Sequence, residues 1–172
     1  QWYKEAIVFM VLCIMTVSLI ADVLSLVVIR FRTSLPGLLV DFVCKTYVIT
    51  LVWVCWSALI YVITDMVSEY RHRSITKRLI FLVSVQSLII YLLPIYIFDD
   101  GKTVYTYGAA VLGVYTFVGL YIVANLAIAW ILRKRINPRR GFAITLWMLI
   151  WTASAAIQFF NDGLLIVGFA GA

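Results

Sequence analysis

The chain has 172 residues, 65% of them apolar and only 13% charged, with a mean hydropathy of +1.05. Soluble domains carry about a quarter charged residues, and a fold of this size leaves too much surface outside for so few charges to clothe in water, so hydrocarbon is the expected outer solvent. The net charge of +6 does not point to nucleic acid: Lys and Arg concentrate in short breaks between apolar runs, the pattern of cytoplasmic loops, and not along a basic groove.

A helix needs about 20 predominantly apolar residues, at about 1.5 Å each, to cross a hydrocarbon core of about 30 Å. Five runs meet that length, residues 6–29, 38–67, 79–98, 107–132 and 142–160, and residues 163–172 read as the start of a sixth. The expected fold class is therefore all-α: one polytopic integral membrane helix bundle over residues 1–172, with five complete transmembrane helices and a truncated sixth. Gln1 in place of Met and an abrupt apolar end from Gly163 to Ala172 read as a chain cut at both ends. The first run is longer than the apolar core of a cleavable signal, about 7 to 15 residues. β-Branched residues are plentiful, yet the runs are apolar on every side, whereas strands of a membrane barrel alternate apolar and polar. No internal repeat of the inverted-transporter kind is present.

The breaks set the orientation. The second holds Arg71 and Arg73 with Lys77 and Arg78 adjoining, and the fourth holds Arg133, Lys134, Arg135, Arg139 and Arg140. These nine positives belong in the cytoplasm. The third break, Asp99 to Lys102, is net acidic and the fifth, Asn161 and Asp162, has no basic residue, so both belong outside. Alternation places the first break outside too, despite Arg30 and Arg32. Both termini are then cytoplasmic, in a multi-pass membrane protein. Trp2, Tyr3, Tyr70, Tyr105 and Tyr107 stand where amphipathic rings sit at head-group level.

Ionisable side chains at membrane depth are functional candidates by default. Asp22 lies about seven residues, or about 10 Å, from the outer end of the first helix, and Lys45 lies at a similar depth in the second. An antiparallel pair brings them level, so an Asp22–Lys45 ion pair or shared polar cavity is expected, unless Asp41, one turn from Lys45, takes the lysine and leaves Asp22 needing another donor. Gln158, Asn161 and Asp162 at the outer end of the fifth helix, with Tyr105, Tyr107 and Tyr115 on the outer part of the fourth, converge on the same side. The candidate ligand site is Asp22, Lys45, Tyr107, Tyr115, Gln158 and Asn161, a polar pocket with aromatic walls for a small molecule on the extracytoplasmic side. Gln86 and Asn125 read as interhelical glue, and Ala109 with Gly113, like Gly168 with Ala172, as close-packing small pairs. Pro94 is expected to bend the third helix.

No catalytic constellation is present: no GxSxG, no HExxH, no phosphate-cradling glycine loop and no Cys/His pair. Cys13, Cys44 and Cys55 lie inside apolar runs and read as buried small hydrophobes, and His72, between Arg71 and Arg73, reads as a solvated loop residue lacking partners for a metal. No cofactor or metal is implied, and this segment is not expected to be an enzyme.

Several phrases carry a family resemblance: the Lys45-Thr-Tyr run, Trp53-Val-Cys-Trp56, Val104-Tyr-Thr-Tyr-Gly108, Ile157-Gln-Phe-Phe-Asn161 and Leu164-Leu-Ile-Val-Gly-Phe-Ala-Gly171. From about residue 40 onward the chain resembles the N-terminal six-helix membrane region of Gram-positive, gut-clostridial signalling proteins whose cytoplasmic part is a GGDEF diguanylate cyclase. The resemblance implies a sensory input domain that passes a stimulus to a C-terminal cyclase, with homodimerisation through that output domain. It assigns no ligand-binding residue. The alternatives are a small-molecule transporter subunit and an inert membrane anchor; the lipid bilayer is the partner common to all three.

Overall fold

The computed structural model describes residues 2–64, 69–99, 104–131, 142, 145–150 and 152–153. Among the described residues the regular elements are α1 (Trp2–Arg30), a 3-10 turn (Arg32–Ser34), α2 (Gly37–Thr64), α3 (Glu69–Leu92), a small hairpin of β1 (Tyr96–Asp99) and β2 (Val104–Tyr107), and α4 (Ala109–Ile131). Four helices among the described residues are long and apolar enough to cross a membrane: Glu5–Arg30, Gly37–Ile63, Ser74–Leu92 and Ala109–Ile131. Of the expected fifth run, residues 142, 145–150 and 152–153 are helical. The rest of that run and the expected sixth lie outside the described residues.

The burial pattern supports hydrocarbon as the outer solvent. On α1, the face that turns inward carries Ser18, Ala21, Asp22 and Ser25, all buried, while Val17, Ile20, Val23, Leu24 and Val27 are exposed. A helix in water puts its polar stripe outside. This one inverts the rule, as a helix with lipid on its apolar side does. α2 is the central element, packing against α1, α3 and α4, with 61% of its spanning window buried against 28%, 17% and 28% for α1, α3 and α4. Val52, Trp56 and Ile60 of α2, Val83 and Ile90 of α3, Val114 and Val118 of α4 and Met148 of the fifth run form the main core.

Helix ends depart from the hydropathy limits for identifiable reasons. The polar stretch from Glu69 to Arg78, expected as a loop, forms the first turns of α3, so His72 lies on a helix. Arg, Lys and Glu are good helix formers, and hydropathy marks where lipid ends, not where the hydrogen-bond ladder ends. At its other end α3 stops at Leu92 instead of running to residue 98 with a bend. The residue before a proline avoids the α region and Pro94 has no N–H to donate, so the proline terminates the helix. Leu93 N–H is shared between the carbonyls of Ile89 and Ile90, each at 3.2 Å. Between α1 and α2, Arg32 donates to the carbonyl of Ile29 at 3.2 Å, capping the negative end of α1. That gives a positive charge a local function in the one dissenting loop.

Within this all-helical architecture the hairpin corrects the expected end of the third run at residue 98 and the start of the fourth at residue 107. Tyr96-Ile-Phe-Asp and Val104-Tyr-Thr-Tyr pair antiparallel, with Tyr96 opposite Tyr107 and Phe98 opposite Tyr105. These residues alternate and are rich in aromatic and β-branched types, which favours strand once proline has ended the helix. One face buries Ile97 against Val28, Val40 and Cys44 at the α1–α2 end. The other stacks Tyr96 on Tyr107 at 5.4 Å and Phe98 on Tyr105 at 5.0 Å between ring centroids. Tyr107 thus belongs to β2 and not to the start of α4.

Gly108 closes the hairpin with φ +120°, a conformation rare for other residues, and an added Cβ there would lie 2.9 Å from the Pro94 carbonyl oxygen. That carbonyl accepts from Ala110 N–H at 3.2 Å, tying the end of α3 to the start of α4. Gly108→Ala is expected to destabilise the protein by about 1–3 kcal/mol. Gly119→Ala, on α4 with nothing within 4 Å of the new methyl, is expected to be stabilising by up to about 1 kcal/mol. Thermal unfolding of the purified variants in detergent checks both signs.

Candidate functional site

Two polar centres lie inside the helix bundle. The first joins α2, α3 and α4. Tyr121 donates to Gln86 Oε1 at 2.7 Å, and one turn along α4 the Asn125 amide donates to the carbonyls of Tyr121 at 2.8 Å and Cys55 at 3.4 Å. Trp53 Nε1 donates to Ser87 Oγ at 2.9 Å. Gln86 and Asn125 therefore do act as interhelical glue, the role their depth and neutrality predict. Trp56 Nε1 and Asn125 Oδ1, in the same region, have no hydrogen-bond partner among the described residues.

The second centre joins α1 and α2 and contains Asp22. Its side chain is 3% exposed. The Tyr47 phenol of α2 faces it across the seam and interacts with it electrostatically. Asp22 Oδ1 has no hydrogen-bond partner among the described residues. Ser18 and Ser25, on the same face of α1 at one-turn spacing, are also buried. Ser25 donates to the backbone carbonyl of Asp22 at 2.8 Å. The Thr50 hydroxyl, one turn from Tyr47 on α2, lies 2.7 Å from the Tyr47 carbonyl and 3.2 Å from Ser18 Oγ. The result is a run of oxygens between two apolar helices.

Lys45 does not join Asp22. It pairs with Asp41 at 3.1 Å and sits 5.5 Å from the centroid of the Tyr91 ring on α3. The two residues are level, but rotation separates them. At about 100° per residue Lys45 is about 200° around α2 from Tyr47, so a helix that turns Tyr47 toward Asp22 turns Lys45 away. The alternative partner on its own helix takes the lysine instead. Tyr47 was not among the sequence candidates, although the stripe Val40, Cys44, Tyr47, Val48, Cys55 marks the inward face of α2.

Of the other expected site residues, Tyr115 lies on α4 and interacts electrostatically with Tyr47, and Tyr107 lies 47% exposed on the hairpin face. Gln158 and Asn161, with Asp162, lie outside the described residues, as does Gly168 with Ala172. Gly113 has only ordinary van der Waals room, its added Cβ meeting Leu93 Cδ1 at 3.5 Å. Cys44 and Cys55 are buried as expected, while Cys13 is exposed on the outside of α1. Among the described residues no group of three or more His, Cys, Asp or Glu gathers for a metal ion. No family model, curated protein or solved structure matches the chain.

Double-mutant cycles separate these contacts. Tyr121→Phe with Gln86→Leu is expected to show a coupling of about 0.6 to 1.7 kcal/mol in stability. Asp22→Asn with Tyr47→Phe should couple in the same way, whereas Asp22→Asn with Lys45→Met should add within about 0.5 kcal/mol. Additivity in the Asp22–Tyr47 cycle would contradict the geometry.

Proposed function

We propose that this chain is a membrane-embedded sensory input domain, in which a stimulus acting at the Asp22 centre shifts the packing of α1 against α2 and so controls a C-terminal cytoplasmic output domain. The supporting observation is the buried Asp22 oxygen with no partner among the described residues. A polar group left unsatisfied in a dry interior costs about 1–3 kcal/mol, more when charged, so the centre is poised between packings that differ in how they satisfy it. A ligand can move such an equilibrium only through its difference in affinity for the two packings, and an unfinished polar site provides that difference. A carboxyl with all its bonds made would instead lock one register.

The proposal includes a complete bundle of five transmembrane helices and a sixth leading into the cytoplasm, with both termini inside and the Asp22 centre in the extracytoplasmic half. The output domain on this reading is a diguanylate cyclase of the GGDEF type, in keeping with the resemblance in the Trp53-to-Trp56 and Val104-to-Gly108 phrases. Transporter sites near the bilayer midplane are typically formed by discontinuous helices. The spans of α1, α2 and α4 are each a single unbroken helix, which favours the input role.

The test is made in the full-length protein in membranes. Asp22→Asn, expressed at wild-type level, is expected to change diguanylate cyclase output several-fold, while Lys45→Met leaves it within about twofold. Regulated output that survives replacement of the whole region by unrelated membrane helices would reduce the domain to an anchor.

A further inference from the structure

The outer face of α3 combines positive charge with an apolar stripe. On this helix Val83, Gln86 and Ile90 are buried in the bundle, while Phe81, Leu82, Val85, Leu88, Ile89 and Leu92 are exposed. Lys77 and Arg78 are exposed as well. Residues three and four apart are neighbours on a helix surface, so Lys77 stands beside Phe81, and Arg78 beside Phe81 and Leu82. The two cations therefore border the face that meets hydrocarbon and not the face that meets α2 and α4. They also lie three and four residues, about 5 Å, inside the span Ser74–Leu92. Among the described residues neither forms an ion pair.

The chain has too little negative charge at this end of the bundle to compensate them. Successive helices run antiparallel, with Ser18 meeting Thr50, Trp53 meeting Ser87 and Gln86 meeting Tyr121, so the starts of α1 and α3 share one end with the ends of α2 and α4. That end collects Lys4 and the nine positives of the second and fourth breaks, against the acids Glu5, Asp65 and Glu69. Long cationic side chains lay their stems on apolar surface and extend their heads to the membrane border, where anionic head groups attract them. A soluble anion would satisfy the charge but not the stripe, and an apolar helix the stripe but not the charge. A lipid with a negative head group satisfies both. We infer that α3 binds an anionic phospholipid along its outer face, with the phosphate at Lys77 and Arg78 and an acyl chain over Phe81, Leu82 and Val85. The site lies at the opposite end of the bundle from the Asp22 centre and is independent of the input-domain reading.

The test is thermal unfolding of the purified chain in nonionic detergent, titrated with dioleoyl phosphatidylglycerol or with dioleoyl phosphatidylcholine at equal mole fraction. A ligand of the folded state raises the melting temperature with its concentration. The expected result is a larger rise with phosphatidylglycerol, its half-effective mole fraction increased about fivefold in Lys77→Gln or Arg78→Gln and about 30-fold in the double variant. Arg30→Gln removes an exposed cation more than a screening length away and should leave that fraction within about twofold. An equal rise with the two lipids overturns the proposal, as does an unchanged half-effective fraction in the double variant or an equal loss in Arg30→Gln. A rise with glycerol 3-phosphate that matches the rise with phosphatidylglycerol also overturns it, since that anion has no acyl chain. Should the double variant not fold, the two single variants decide in the same way. Disulfide crosslinking between copies carrying Phe81→Cys in a Cys13→Ala background would put a second chain on this face and overturn the lipid assignment.

Discussion

Hydrocarbon offers no hydrogen bonds, and that constraint arranges most of this bundle. Each spanning helix satisfies its own backbone, so the only polar groups that must be placed are side chains, and they are driven inward. On α1 the inward face is Ser18, Asp22 and Ser25, with valines, leucine and isoleucine outside. α2 becomes the hub because it can offer partners in several directions: Tyr47 and Thr50 to α1, Trp53 to α3, and the carbonyl of Cys55 to α4. Apolar burial alone would hold helices together in water. In lipid it discriminates little between one apolar surface and another, so packing detail and these few bonds set which helix faces which.

The sequence signal for spans and the signal for helix ends are physically different, and they differ in how well they locate the elements. Runs of apolar residues place α1, α2 and α4 to within a few residues, because span length is dictated by bilayer thickness. α3 is displaced at both ends. Its N-terminal turns are polar and continue in helix beyond the apolar run, while Pro94 ends it within an apolar run where hydropathy gives no warning. Tyr96 to Tyr107 then takes a strand conformation that depends on cross-strand partners, a tertiary circumstance that no single segment reveals.

The candidate site divides along similar lines. Depth was readable from position along the runs, and it correctly set Asp22 apart as a buried ionisable group. Partner choice was not, because it depends on rotation about the helix axis. Lys45 and Tyr47 differ by only two residues in depth but by more than half a turn in direction. The inward stripe from Val40 to Cys55 contained the information needed to choose Tyr47, since it repeats at three- and four-residue steps. In a helix that is apolar all round, that stripe is marked only by the small and polar residues Cys44, Tyr47 and Cys55.

The two polar centres differ in a way that bears on motion. At Gln86 and Tyr121 a donor and an acceptor meet at 2.7 Å, fixing α3 against α4. At Asp22 one carboxylate oxygen has no protein donor among the described residues, and the side-chain bond from α2 to α1 is made nearby, by Thr50 to Ser18 at 3.2 Å. The end of that pair is covered by Ile97, which packs on Val28, Val40 and Cys44. The hairpin that carries Ile97 is joined to α4 through the Pro94 carbonyl and Ala110 N–H. A displacement of α1 relative to α2 at Asp22 therefore has to disturb the Ile97 contact, and the hairpin is short enough that strain placed on it reaches both the end of α3 and the start of α4. Packed interiors respond to such strain by moving between discrete arrangements and not by continuous deformation. The incomplete carboxylate on α1 and the hairpin laid across the end of the α1–α2 pair thus lie on one side of α2, and the hydrogen-bonded centre it shares with α3 and α4 on the other.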